Sequence, residues 1–200
     1  TSLTWGESIH SCKCVHGYGS PVESPSNCTI CGTGTYSTVQ SPSVCSTCPA
    51  GATSPEGSHE LTSCTCLAGH TGTSDGVVCT PCAESTYKAT LGTETCVVCP
   101  SSTLSDIGST ERSMCLCIPG YTGLIDNCEM CEKGKYKSTT GPVECTTCPG
   151  ERYSDEGSDS ITACVCAPGF YTNYDTETFE GQPCNACPTG TTSPPSSNNL

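Results

Sequence analysis

Residues 31–66 read CGTGTYSTVQSPSVCSTCPAGATSPEGSHELTSCTC. Their five cysteines, Cys31, Cys45, Cys48, Cys64 and Cys66, are spaced C-x13-C-x2-C-x15-C-x-C. Cys82, Cys96, Cys99, Cys115 and Cys117 repeat that spacing residue for residue, and Cys131, Cys145, Cys148, Cys164 and Cys166 do so again. Only the following interval varies, with 12 residues before Cys79, 10 before Cys128 and 17 before Cys184. Two residues then lead from each of these into the next unit. A fixed period of this kind is the signature of a tandem array, in which one small structural unit is stacked on its neighbours. Three repeats are thereby bounded at 31–79, 82–128 and 131–184. Residues 1–28, with Cys12, Cys14 and Cys28, have the cysteines of the C-terminal part of a repeat, and residues 187–200 have those of the start of another. The expectation is a stretch of a longer array.

Composition explains why the cysteines must carry the fold. Of 200 residues, 22 are Cys, only two are Phe and one is Trp. A chain this poor in large apolar groups cannot build a sizeable core, while cysteine at this density in a small repeat points to a disulfide scaffold in an oxidising, extracellular setting. No run of about 20 apolar residues is present to span a bilayer, so a membrane would be reached only through other regions. The net charge is −13, from 7 basic and 20 acidic residues. No basic stripe exists to neutralise phosphates, which argues against nucleic acid as a partner.

Other positions recur with the cysteines. Tyr36, Tyr87 and Tyr136 lie five residues after each first cysteine, and Pro49, Pro100 and Pro149 follow each third one. Ser54, Ser105 and Ser154 precede Gly57, Gly108 and Gly157 by three residues. After the C-x-C pair, Gly17, Gly69, Gly120 and Gly169 precede Tyr18, His70, Tyr121 and Phe170. A glycine suits a tight turn with positive φ, and the ring after it could cover a disulfide. Gly, Pro, Ser and Thr interrupt every apolar pattern, which predicts short two-stranded hairpins and turns with little helix.

These features resemble the EGF-like cysteine-rich repeats of ephrin receptors, most plainly over CEKGKYKSTTGPVECTTCPGERYSDEGSDSITACVCAPGFY from Cys131 to Tyr171. The rhythm is also similar to tumour-necrosis-factor-receptor repeats. Spacing alone leaves the pairing open, since six cysteines allow fifteen connectivities. The resemblance implies Cys31–Cys48, Cys45–Cys64 and Cys66–Cys79 in the first full repeat. It implies Cys82–Cys99, Cys96–Cys115 and Cys117–Cys128 in the second, and Cys131–Cys148, Cys145–Cys164 and Cys166–Cys184 in the third. Cys14–Cys28 closes the leading segment, leaving Cys12 and Cys187 unpaired within these residues. Each bridge contributes about 3 kcal/mol in the chain-entropy description. The two-residue junctions predict a semi-rigid, elongated array on the order of 100 Å.

The same residues also bear on other chemistry. Cys28, Cys31, Cys45 and Cys48 have the spacing of a four-thiolate zinc ribbon, but six cysteines per period do not divide into fours. CxxC pairs also serve thiol–disulfide exchange, yet that needs a helix start to stabilise the thiolate, and none is readable. Neither a metal nor another cofactor is expected, and no nucleophile–base arrangement points to an enzyme. Asn27-Cys28-Thr29 is an N-glycan sequon. The longest interval, 167–183, holds Tyr171, Tyr174 and Phe179 among acidic residues and is the predicted contact loop. The expected function is a structural segment of a cell-surface glycoprotein that forms a stalk, fibre or appendage by association with further copies or other extracellular proteins. A ligand-binding receptor or adhesion ectodomain is the alternative.

Overall fold

The computed structural model describes residues 13–20, 27–38, 44–73, 78–172 and 183–194. Among them the regular structure is a series of nine two-stranded antiparallel sheets, with short 3-10 turns between some of them. Each repeat uses the same plan. A first hairpin pairs Thr35–Tyr36 with Ser46–Thr47, Thr86–Tyr87 with Val97–Val98, and Lys135–Tyr136 with Thr146–Thr147. A second pairs Ala52–Thr53 with Thr65–Cys66 and Thr103–Leu104 with Leu116–Cys117, and shrinks to the single bridge Tyr153–Val165 in the last repeat. A third, between the C-x-C pair and the junction, pairs His70–Gly72 with Cys79–Pro81 and Tyr121–Leu124 with Asn127–Met130.

Among the described residues, ten disulfides join consecutive cysteines. Cys14–Cys28, Cys66–Cys79, Cys117–Cys128 and Cys166–Cys184 are bonded as the resemblance implies. The six crossed pairs are not. In place of Cys31–Cys48 and Cys45–Cys64 stand Cys31–Cys45 and Cys48–Cys64. In place of Cys82–Cys99 and Cys96–Cys115 stand Cys82–Cys96 and Cys99–Cys115. In place of Cys131–Cys148 and Cys145–Cys164 stand Cys131–Cys145 and Cys148–Cys164. The two residues inside each of these CxxC pairs are extended, as Ser46–Thr47, Val97–Val98 and Thr146–Thr147 show, so the flanking cysteines face opposite sides of the strand. The turn of the hairpins decides which partner lies on which side: Cys31 lies 5.7 Å from Cys45 and Cys64 5.8 Å from Cys48 between Cα atoms. The first cysteine of each pair bonds backward along the chain and the second forward.

Sulfur is the core. Every buried apolar side chain among the described residues is a cysteine, and Cys14, Cys31, Cys64, Cys66, Cys82, Cys115, Cys117, Cys131 and Cys164 are all 2% exposed or less. Of the rings that follow the glycines, His70 and Tyr121 are half-buried, while Tyr18 and Phe170 are 37% and 41% exposed.

Packing groups the chain into two compact units, residues 1–98 with 106–114, and residues 99–105 with 115–200. Their boundary runs through the middle repeat and not along the two-residue junctions. The junctions are too well tied to be boundaries. In the second unit, the Gly120 amide donates to the Lys137 carbonyl (2.8 Å) and the Gly120 carbonyl accepts from Cys131 (2.8 Å). The Gly157 amide in turn donates to the Cys131 carbonyl (2.8 Å). In the first unit Gly69 makes the equivalent bonds with Lys88 and Cys82, and Gly108 donates to Cys82. Gly69 and Gly120 have φ of 75° and 80°, and a Cβ on either would press into the carbonyl of Gly108 or Gly157. Pro81 and Met130 lie over these glycine pairs.

The same junctions bury a lysine each. Lys88 and Lys137, both six residues after a first cysteine, are 2% and 3% exposed. The Lys88 amine donates to the carbonyls of Thr90 (2.9 Å) and Gly92 (2.7 Å). That of Lys137 donates to the Tyr121 carbonyl (2.7 Å) of the preceding repeat. Burial pushes the Lys137 amine below the ordinary lysine range. The unfolded chain then binds more protons than the folded one between the lowered value and the ordinary one, so stability rises with pH across that alkaline interval. Lys137→Met leaves the Tyr121 carbonyl without its donor. Denaturant unfolding should show a loss of about 1–2 kcal/mol, together with a flatter alkaline pH profile.

Candidate binding groove beside the longest hairpin

The longest hairpin follows from the shortest interval between cysteines. Ten residues separate Cys117 from Cys128, which leaves room for four-residue strands joined only by Ile125 and Asp126, with Leu124 opposite Asn127. This hairpin forms one wall of a groove of about 680 Å³ within the second unit. Cys131 and Cys145, bonded to each other, line it as well. The opposite wall is the segment Pro142–Glu144, tied to the hairpin by the Thr122 hydroxyl, which donates to the Val143 carbonyl (2.9 Å).

The lining is mixed. Leu124 and Met130 are 74% and 52% exposed, and Val143 beside them is 59% exposed. Glu129, Glu132 and Glu144 line the groove with one cation, Lys135. Lys135 donates to Glu132 (2.8 Å). That hydrogen bond, reinforced by charge attraction, holds the Glu132 carboxyl below its usual range and raises the Lys135 amine above its own. The Asn127 amide donates to Glu129 (2.9 Å). Glu144 adds a weaker attraction on Lys135. The result is an apolar and anionic trough whose single cation is already paired.

The residues singled out in the sequence lie elsewhere. Tyr171 is half-buried in a hairpin opposite Asn185, while Tyr174, Phe179 and Cys12 fall outside the described residues. Asn27 is exposed. Cys187 is half-buried and carries no disulfide among the described residues. The zinc-like quartet is divided among three bridges, with Cys28 bonded to Cys14, Cys31 to Cys45 and Cys48 to Cys64. No helix among the described residues is long and apolar enough to cross a membrane. Sequence reasoning missed the groove because attention went to the longest interval. It also missed the buried lysines, although Lys88 and Lys137 share one offset from Cys82 and Cys131.

Residues 121–164, which contain every residue lining the groove, match the family described as tyrosine-protein kinase ephrin type A/B receptor-like. The chain is also similar to the ephrin type-B receptor 4 of Mus musculus, with 36% identity over 63 residues. That alignment takes in 31% of this chain and 6% of the receptor's length. The chain carries cysteine-rich repeats of the ephrin-receptor-like kind. With ten disulfides, it is an extracellular or secreted region.

Proposed function

We propose that these repeats are a non-catalytic structural segment of a cell-surface glycoprotein, a spacer in a stalk or fibre that also presents protein contacts. The observation that carries this reading is the clasp at Gly69 and Gly120, where each junction is fixed by backbone hydrogen bonds to the following repeat. Such tethering leaves the junction little freedom, and a stack coupled through nearest neighbours transmits its shape along the chain. The exposed Asn27 offers a glycan site. Small-angle scattering of the oxidised chain tests the spacer. A compact globule of this length has a radius of gyration of about 16 Å. A spacer should give roughly twice that and should expand on reduction toward the roughly 48 Å of an unfolded chain of this length, whereas a value near the compact one sinks the reading. The receptor or adhesion alternative draws its support from the groove and from the family match over residues 121–164.

A further inference from the structure

We propose that the groove between the Tyr121–Leu124/Asn127–Met130 hairpin and Pro142–Glu144 is a docking site for an extended segment of another protein, carrying arginine or lysine between apolar side chains. This goes beyond a spacer role and does not depend on it.

Comparison of the junctions within the chain carries the inference. Glu129, Glu132 and Glu144 occupy positions held by Thr80, Ala83 and Thr95 one repeat earlier, and by Thr29, Gly32 and Val44 in the repeat before that. The scaffold therefore folds at this position without carboxylates. Concentrating three of them beside exposed Leu124 and Met130 brings like charges together against one cation, Lys135, which is paired with Glu132. Their arrangement fits a cation held between apolar neighbours, since a guanidinium pairs with carboxylates while its stem lies on apolar surface. An apolar centre with a polar rim is also how protein contacts are built.

The same charges speak against a second copy as the occupant. The chain has only seven basic residues against twenty acidic ones. Lys88, Lys137 and Arg152 are buried, and Lys135 is in the groove and paired with Glu132. A copy approaching this face brings further negative charge, which steers it away. The Cys131–Cys145 bridge and the Thr122–Val143 hydrogen bond hold the walls in place before any partner arrives. Binding to a preformed groove avoids an ordering cost.

The test uses the oxidised 200-residue chain and a random dodecapeptide library displayed on phage. The control is the variant Glu129→Thr/Glu132→Ala/Glu144→Thr, whose new residues are those of the preceding junction. Selected peptides should share a basic residue flanked by apolar ones and bind the variant at least tenfold more weakly. They should lose affinity as salt is raised and shift the backbone amide signals of Leu124, Met130 and Glu144. Leu124→Ser should weaken the same peptides while leaving the disulfides intact. The proposal is overturned if selection yields no consensus or one without basic residues, if the variant binds equally, or if the shifts map elsewhere. Concentration-dependent self-association abolished by Leu124→Ser overturns it too, by making a second copy the occupant.

Discussion

Gly120→Ala should destabilise the second unit by about 3 kcal/mol. Two effects add. The residue has φ of 80°, and an alanine held in the left-handed region costs about 1–2 kcal/mol. Its methyl group would also be driven into the carbonyl of Gly157, a backbone atom with no rotamer to change, and forced overpacking costs about 1–3 kcal/mol. Gly134→Ala separates the two. Gly134 has φ of 76° but open space where its Cβ would lie, so it should lose only about 1–2 kcal/mol. Chemical denaturation of both variants checks the difference. Equal losses would mean that the Gly120–Gly157 contact contributes nothing.

Replacing both Cys131 and Cys145 with serine should be as damaging. Their bridge spans 14 residues, and losing such a constraint on the unfolded chain costs about 3 kcal/mol. The third repeat should unfold at low denaturant and the groove should disappear with it. The first repeat should keep its amide-exchange protection, because stacked repeats interact mainly with their neighbours. The single variant Cys145→Ser reads the connectivity directly. With consecutive pairing the liberated thiol is on Cys131, whereas crossed pairing would liberate it on Cys164. Alkylation followed by peptide mapping distinguishes them.

The repeat was legible once the spacing from Cys31 to Cys66 was met again from Cys82 and from Cys131, and composition alone excluded a large apolar core. The pairing was not, because the family likeness implied crossed bonds for Cys31, Cys45, Cys48 and Cys64. Strand parity could not choose either, because an extended dipeptide such as Ser46–Thr47 turns its flanking cysteines to opposite faces under both pairings. The recurrent Gly69 and Gly108 were visible separately. Their contact was not, since it joins residues of two different repeats whose meeting depends on how a hairpin turns. Lys88 and Lys137 resembled ordinary surface cations, and only the carbonyls around them reveal why they are buried. The groove came from brevity. A ten-residue interval between Cys117 and Cys128 makes a long, tight hairpin, and nothing in its composition announces a binding surface.

Joining each cysteine to the one after it also bears on how such a chain is made. As the polypeptide enters an oxidising compartment from its N-terminus, the first sulfhydryl to arrive after a forward-facing one, as Cys145 arrives after Cys131, is its correct mate. No bond has to be broken to let a later partner in, so the demand for disulfide isomerisation during export is small. Gene duplication can likewise lengthen or shorten such a chain in whole periods without disturbing any existing cross-link.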